Sequence, residues 1–163
     1  MEFSYENIYK NEVKNYTAVP VLLREQKNRW YVLAWVEGRE TYLTFALDRI
    51  RSLKITDQKL KPRQPFNTET YLKHAVGIID QDGEPVAVKL RIKTPYHKLI
   101  ALDPLHHSQK ITETTSKSCT IQLSVHITHE LHHRILAFGP HCVVISPASL
   151  KKEIKKQLAE ALG

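Results

Sequence analysis

Apolar and polar residues alternate through much of the first sixty positions, as on strands with one buried face: Phe3 and Tyr5, then Val19, Val21 and Leu23, and later Leu53 and Ile55. The densest apolar run, Arg29-Trp30-Tyr31-Val32-Leu33-Ala34-Trp35-Val36, is bounded by Asn28 and by Glu37-Gly38-Arg39. Its aromatic and β-branched side chains predict a strand that turns into a second one over Glu40 to Phe45. Leu47 to Ile50 is too short for a full helix, and Arg51 to Thr56 alternates again. The pattern predicts five strands closing a small β-barrel over residues 1–60. Lys61-Pro62-Arg63-Gln64-Pro65 follows, where two prolines and no periodicity predict a linker, 61–71.

Farther along, the rhythm becomes one of strands and helices in turn. A helix is expected around Thr68 to His74, a strand over Val86 to Ile92, a helix from Pro95 to Asp103 and a strand from Cys119 to Ile127. Thr128 is placed to cap a helix over His129 to Phe138, which Gly139-Pro140 stops. Cys142 to Ile145 reads as a strand, and Pro147 opens the last helix. The alternation predicts a small α/β sandwich over 72–163, and an α+β protein as a whole.

The 163 residues, 42% hydrophobic and 25% charged, suffice for one ordinary domain or two small ones. No apolar run approaches the roughly 20 residues that span a bilayer, and MEFSYENIYKN lacks the basic-then-apolar order of a secretory signal. No membrane partner and a cytoplasmic location are expected. Cys119 and Cys142, the only cysteines, lie far apart inside apolar stretches and read as buried thiols. The net charge of +7 attracts phosphates. It is spread evenly, with 12 basic and 8 acidic residues before Phe66 and 12 and 9 from there on. Lys151, Lys152, Lys155 and Lys156 read as the solvated face of the last helix. Five glycines form no phosphate-cradling loop, and no cofactor is expected.

Four segments stand in a particular order: Phe3-x-Tyr5, Val19-Pro20, Arg29-Trp30-Tyr31-Val32 and Phe45-x-Leu47-Asp48-Arg49-Ile50. Together they resemble the WYL-domain regulators, whose Trp-Tyr-Leu signature is matched here by Trp30-Tyr31-Val32. Pro104-Leu105-His106-His107-Ser108-Gln109, Glu130-Leu131 and Ile135-Leu136-Ala137-Phe138-Gly139-Pro140 resemble the C-terminal extension of the same family, so the likeness covers nearly the whole chain. The resemblance implies an SH3-like or Sm-like barrel, an α/β extension that takes part in homodimer contacts, and an N-terminal DNA-binding domain that this chain lacks. It also implies a regulatory ligand, a nucleotide or single-stranded nucleic acid, whose binding is passed to operator DNA through that domain, with no catalysis. Many members carry basic residues where this chain has Leu43 and Ala46, which implies a less strongly anionic ligand.

The residue chemistry is compatible with that implication. Trp30 or Tyr31 can stack a base, and Arg49, with Arg29 and Arg24 on neighbouring strands, can hold a phosphate through forked hydrogen bonds. Trp30 and Tyr31 point to opposite strand faces, so only one lines a given pocket while the other fills core. Arg49 can equally be a structural arginine paired with Asp48 or Asp57. His106, His107, Ser108 and Gln109 suit a loop that pins the extension's sheet or meets a second subunit. A competing reading is a zinc peptidase, because His129-Glu130-Leu131-His132-His133 matches His-Glu-x-x-His, with Glu153 spaced as a third ligand. Two small domains leave little wall for a peptide cleft, and Lys152, Lys155 and Lys156 surround Glu153. A third reading is a nucleic-acid-binding protein acting through its own positive charge.

Overall fold

The computed structural model describes the chain apart from residues 9, 40, 58–59, 61–65 and 79–82. Glu40 and the predicted linker stretch Lys61 to Pro65 therefore lie outside the described residues. The chain divides into two compact units, Met1–Tyr71 and Leu72–Gly163.

The first unit holds β1 (Glu2–Asn7), β2 (Glu12–Gln26), β3 (Arg29–Val36), β4 (Tyr42–Ala46) and β5 (Ile50–Lys54), with a 3-10 turn, Leu47–Arg49, between the last two and a short α1 (Thr68–Tyr71) at its end. The strands form one antiparallel sheet in the order β4-β3-β2-β1-β5. Five strands were the expectation, but a closed barrel is not what forms, because no ladder joins β4 to β5. The 3-10 turn carries the chain away from β4, and β5 pairs with the far edge of β1 instead. β2 makes the sheet bend: Glu12 to Thr17 pairs with β1, Ala18 to Gln26 pairs with β3, and the register shifts between Pro20 and Leu22. Proline has no N–H to give to a ladder, so an irregularity beside Pro20 is where the strand can turn.

The core of this unit is Phe3, Ala18, Val32, Ala34, Val36 and Phe45. The Phe45 ring meets those of Phe3, Tyr5 and Tyr16 edge-on, at centroid distances of 5.0, 5.0 and 4.9 Å. The Tyr5 hydroxyl also accepts the Ala46 N–H at 3.3 Å. β1 and β4 thus meet through side chains across the apolar face of the bent sheet.

The second unit contains β6 (Val86–Lys93), β7 (Lys110–Thr114), β8 (Ser118–Val125), α2 (His129–Leu136), β9 (Cys142–Ser146) and α3 (Ala148–Leu162). Its sheet is antiparallel in the order β7-β8-β6-β9, the strand arrangement of a split β-α-β unit. Val88, Leu90 and Ile92 of β6 and Cys119, Ile121, Leu123 and Val125 of β8 pack against Leu131 and Ile135 of α2 and Leu150 and Ile154 of α3. The unit mixes α and β as expected, with one antiparallel sheet and these helices packed on its buried face. Lys89, Arg91 and Lys93 alternate with the buried residues of β6 and are exposed.

Two element expectations also change. Pro95 to Asp103 is a series of turns around a 3-10 segment, Leu99–Ala101, and not a helix; α1 ends at Tyr71, short of His74. β7 was not foreseen, since all five of its residues are exposed and no apolar alternation marks it. Thr128 caps α2 as expected, its hydroxyl accepting Leu131 N–H at 3.4 Å. Cys119 and Cys142 are unpaired thiols, and burial pushes the Cys142 thiol up to about 12. No helix among the described residues is long and apolar enough to cross a membrane.

Gly77 and Glu130 fit one another closely. The Glu130 carboxylate accepts the Ile78 N–H at 3.1 Å, and a Cβ on Gly77, whose φ is +137°, would run into that carboxylate. Gly77→Ala should therefore lower stability by about 1–3 kcal/mol in urea unfolding, from strain and contact together. Phe45→Ala should cost about 3–5 kcal/mol by the same measurement, because three rings lose their common partner.

Candidate functional site

The tip of the β2–β3 hairpin gathers most of the predicted ligand residues. Arg24 stands opposite Tyr31, Glu25 opposite Trp30 and Gln26 opposite Arg29, while Tyr31 faces Ala46 on its other side. Directly opposed residues share a face, and so do residues two apart on a strand, so Arg24, Arg29 and Tyr31 lie together. Trp30 lies on the other face, 54% exposed. Arg29 donates to the Asp48 carboxylate at 2.6 Å, and its guanidinium carbon sits 5.9 Å from the Tyr31 ring centroid. The hydrogen bond to Asp48 raises the Arg29 pKa further above its ordinary value.

Arg49 ends the 3-10 turn next to Asp48 and is half-buried, whereas Arg24 is exposed, with no ion pair among the described residues. Asp48, considered above as a partner for Arg49, is engaged by Arg29. Arg51 is a neighbour that sequence reasoning missed: it donates to the Asp48 carbonyl at 2.7 Å and pairs with Glu6 at 3.3 Å. Its signal was its place two residues after Arg49, which only the turn makes meaningful.

The first unit also has cavities of about 420 and 430 Å³ on either side of Asn15, Tyr16 and Thr17. Ser52 and Lys54 line one, Lys14 and Arg39 the other, and none of the five predicted residues lines either. No sequence spacing connects these positions, which come from four strands and a turn.

His106, Ser108 and Gln109 work within the second unit. Gln109 accepts the Leu105 N–H at 3.0 Å and donates to the Ile100 carbonyl at 2.7 Å. Ser108 Oγ accepts the Ser124 N–H at 2.9 Å and lies 2.7 Å from His106 Nδ1. These bonds pin the loop to the turn at Ile100 and to the end of β8. His107 is exposed, its ring 4.0 Å from that of His106.

His129 and His133 lie one turn apart on α2, with ring centroids at 5.7 Å. Glu130, which a zinc peptidase would use as general base, instead holds the Ile78 N–H, and Glu153 accepts from Gln157 at 3.3 Å. Among the described residues no group of three or more His, Cys, Asp or Glu is arranged to hold a metal ion.

Family comparison accounts for both units. A WYL domain model matches residues 1–55 and a WCX domain model residues 84–162. The chain belongs to the WYL-domain family, as a WYL domain followed by a WCX domain. No curated protein matches it. Among solved structures, a CRISPR Cas-related protein is similar to this WYL–WCX chain at 15% identity with a TM-score of 0.60, over 99% of this chain and 46% of that one. Proteasome accessory factor B/C (PafBC) of Arthrobacter aurescens aligns at 21% identity with a TM-score of 0.39, over 97% of this chain and 24% of that one. The WYL–WCX chain thus spans less than half the length of either.

In the WCX unit, burial and the nearby His107 and His74 rings lower the His106 pKa from 6.5 to about 4, against a smaller raising effect of the Lys73 backbone. The unfolded chain takes up this proton first as pH falls. Its contribution is therefore complete above about pH 6.5 and is lost as pH drops towards 4, amounting to about 3 kcal/mol. Chemical unfolding followed from pH 7.5 to 4 should show that decline, and His106→Asn should flatten it.

Proposed function

We propose that this chain is the ligand-sensing and dimerising region of a WYL-domain regulator, taking a nucleotide or single-stranded nucleic acid on its WYL unit and controlling a linked DNA-binding domain without catalysis of its own. The observation that carries the reading is the placing of Arg24 and Arg29 on one face with Tyr31, inside the segment that matches the WYL domain. An aromatic face between two guanidiniums offers stacking to a base and forked hydrogen bonds to a phosphate. Arg49 adjoins this patch from the 3-10 turn and is assigned to the same ligand. Asp48 holds Arg29, so an incoming phosphate has to compete with that carboxylate; with Leu43 and Ala46 nearby in sequence, this favours a ligand of modest charge.

Strand order and the turn before β5 support a small SH3-like or Sm-like barrel left open between β4 and β5. We assign homodimer contacts to the WCX unit, where His107 is exposed while His106 is buried and Ser108 and Gln109 are half-buried. A cytoplasmic location follows from the regulatory role.

Fluorescence anisotropy with a labelled single-stranded oligonucleotide, titrated against salt, tests the site. Tyr31→Ala should weaken binding by about 5- to 100-fold, the loss of one stacked base. Arg24→Ala and Arg49→Ala should each weaken it and reduce the salt slope by about one. Trp30→Ala, on the opposite face, should leave affinity unchanged; the reverse ranking of Trp30 and Tyr31 would defeat the assignment.

A further inference from the structure

The WCX unit has a cavity of about 270 Å³ between the turns that follow β6 and the end of α2. Tyr96, Leu99, Leu105 and Phe138 supply apolar walls, with the Tyr96 and Phe138 rings edge-on at 5.5 Å. Asp103 and Arg134 line the same cavity and are both exposed, yet they make no ion pair with each other or with any other described residue. Its volume falls below the roughly 300–1,000 Å³ of pockets that enclose drug-sized ligands, which points to a small metabolite.

We infer that this cavity binds a free α-amino acid with an apolar side chain, its carboxylate on Arg134, its ammonium on Asp103 and its side chain against Leu99 and the paired rings of Tyr96 and Phe138. Opposite charges that line one pocket without pairing suit a molecule that carries both. Arginine receives a carboxylate through two parallel hydrogen bonds, and an aspartate accepts from an ammonium. An apolar acid without an amine would leave Asp103 unanswered, and an apolar amine would leave Arg134 so. The walls reject a polar side chain, since it would lose water without gaining a partner. The site lies in a different unit from the Tyr31 patch and does not rest on the nucleic-acid reading.

Isothermal titration of the full chain with L-leucine and L-phenylalanine tests the inference, with 4-methylpentanoate and 3-methylbutylamine as leucine lacking one charge. Saturable one-to-one binding of at least one of the amino acids is expected, with each one-charge analogue about tenfold weaker or more. Arg134→Gln and Asp103→Asn alter exposed side chains, and circular dichroism melts should match the parent. Each should weaken amino-acid binding about tenfold. No saturation by either amino acid at millimolar concentration overturns the site. So does equal binding of leucine and 4-methylpentanoate, or affinity indifferent to both substitutions.

Discussion

Packing of three aromatic rings around Phe45 holds the first unit in its bent form. Phe3 and Tyr5 come from β1, Tyr16 from β2 and Phe45 from β4, so strands far apart in the sheet order share one apolar centre. Edge-on contacts of this kind add to area burial and fix relative ring orientation. With β4 held by Phe45 and by the bond from Ala46 to Tyr5, the following turn is fixed in place, and with it Asp48. Asp48 then orients Arg29 beside Tyr31. The electrostatics of the candidate site therefore depend on a hydrophobic contact outside it.

The WCX unit solves the same problem by different means. Strict alternation on β6 gives one apolar face for α2 and α3, while a few polar side chains secure the long connection between β6 and β7. Ser108 and Gln109 hold the second half of that connection, so backbone groups in turns acquire partners that a helix would have supplied internally. The turns leave room beside α2, and the cavity with Asp103 and Arg134 lies there. A regular helix across Pro95 to Asp103 would have filled that space with its own side chains.

Glu130 shows how a catalytic motif can be satisfied by structure alone. His-Glu-x-x-His requires a carboxylate able to act on a metal-bound water. Here the carboxylate caps the Ile78 N–H and fills the space above Gly77, so that glycine and glutamate form one structural pair. The two imidazoles remain on one helix face simply because four residues make about one turn.

Local signals in the sequence were enough for several elements. A dense aromatic and β-branched run marked β3, alternation marked β6, Thr128 marked the start of α2, and Gly139-Pro140 marked its end, because each depends on neighbours within a few residues. The ordered segments around Trp30-Tyr31 and Phe45 to Ile50 likewise identified the family. That Trp30 and Tyr31 face opposite ways followed from strand geometry, but which side carries the arginines did not. That was decided by the β2–β3 register, which sets Arg24 against Tyr31, and by the turn that brings Asp48 to Arg29 from 19 residues away. Barrel closure, the exposed edge strand β7 and the loss of a helix after β6 were equally beyond local pattern. Each depends on which distant backbone or side-chain group is near enough to satisfy a hydrogen bond or share a core, and only the folded chain fixes those distances.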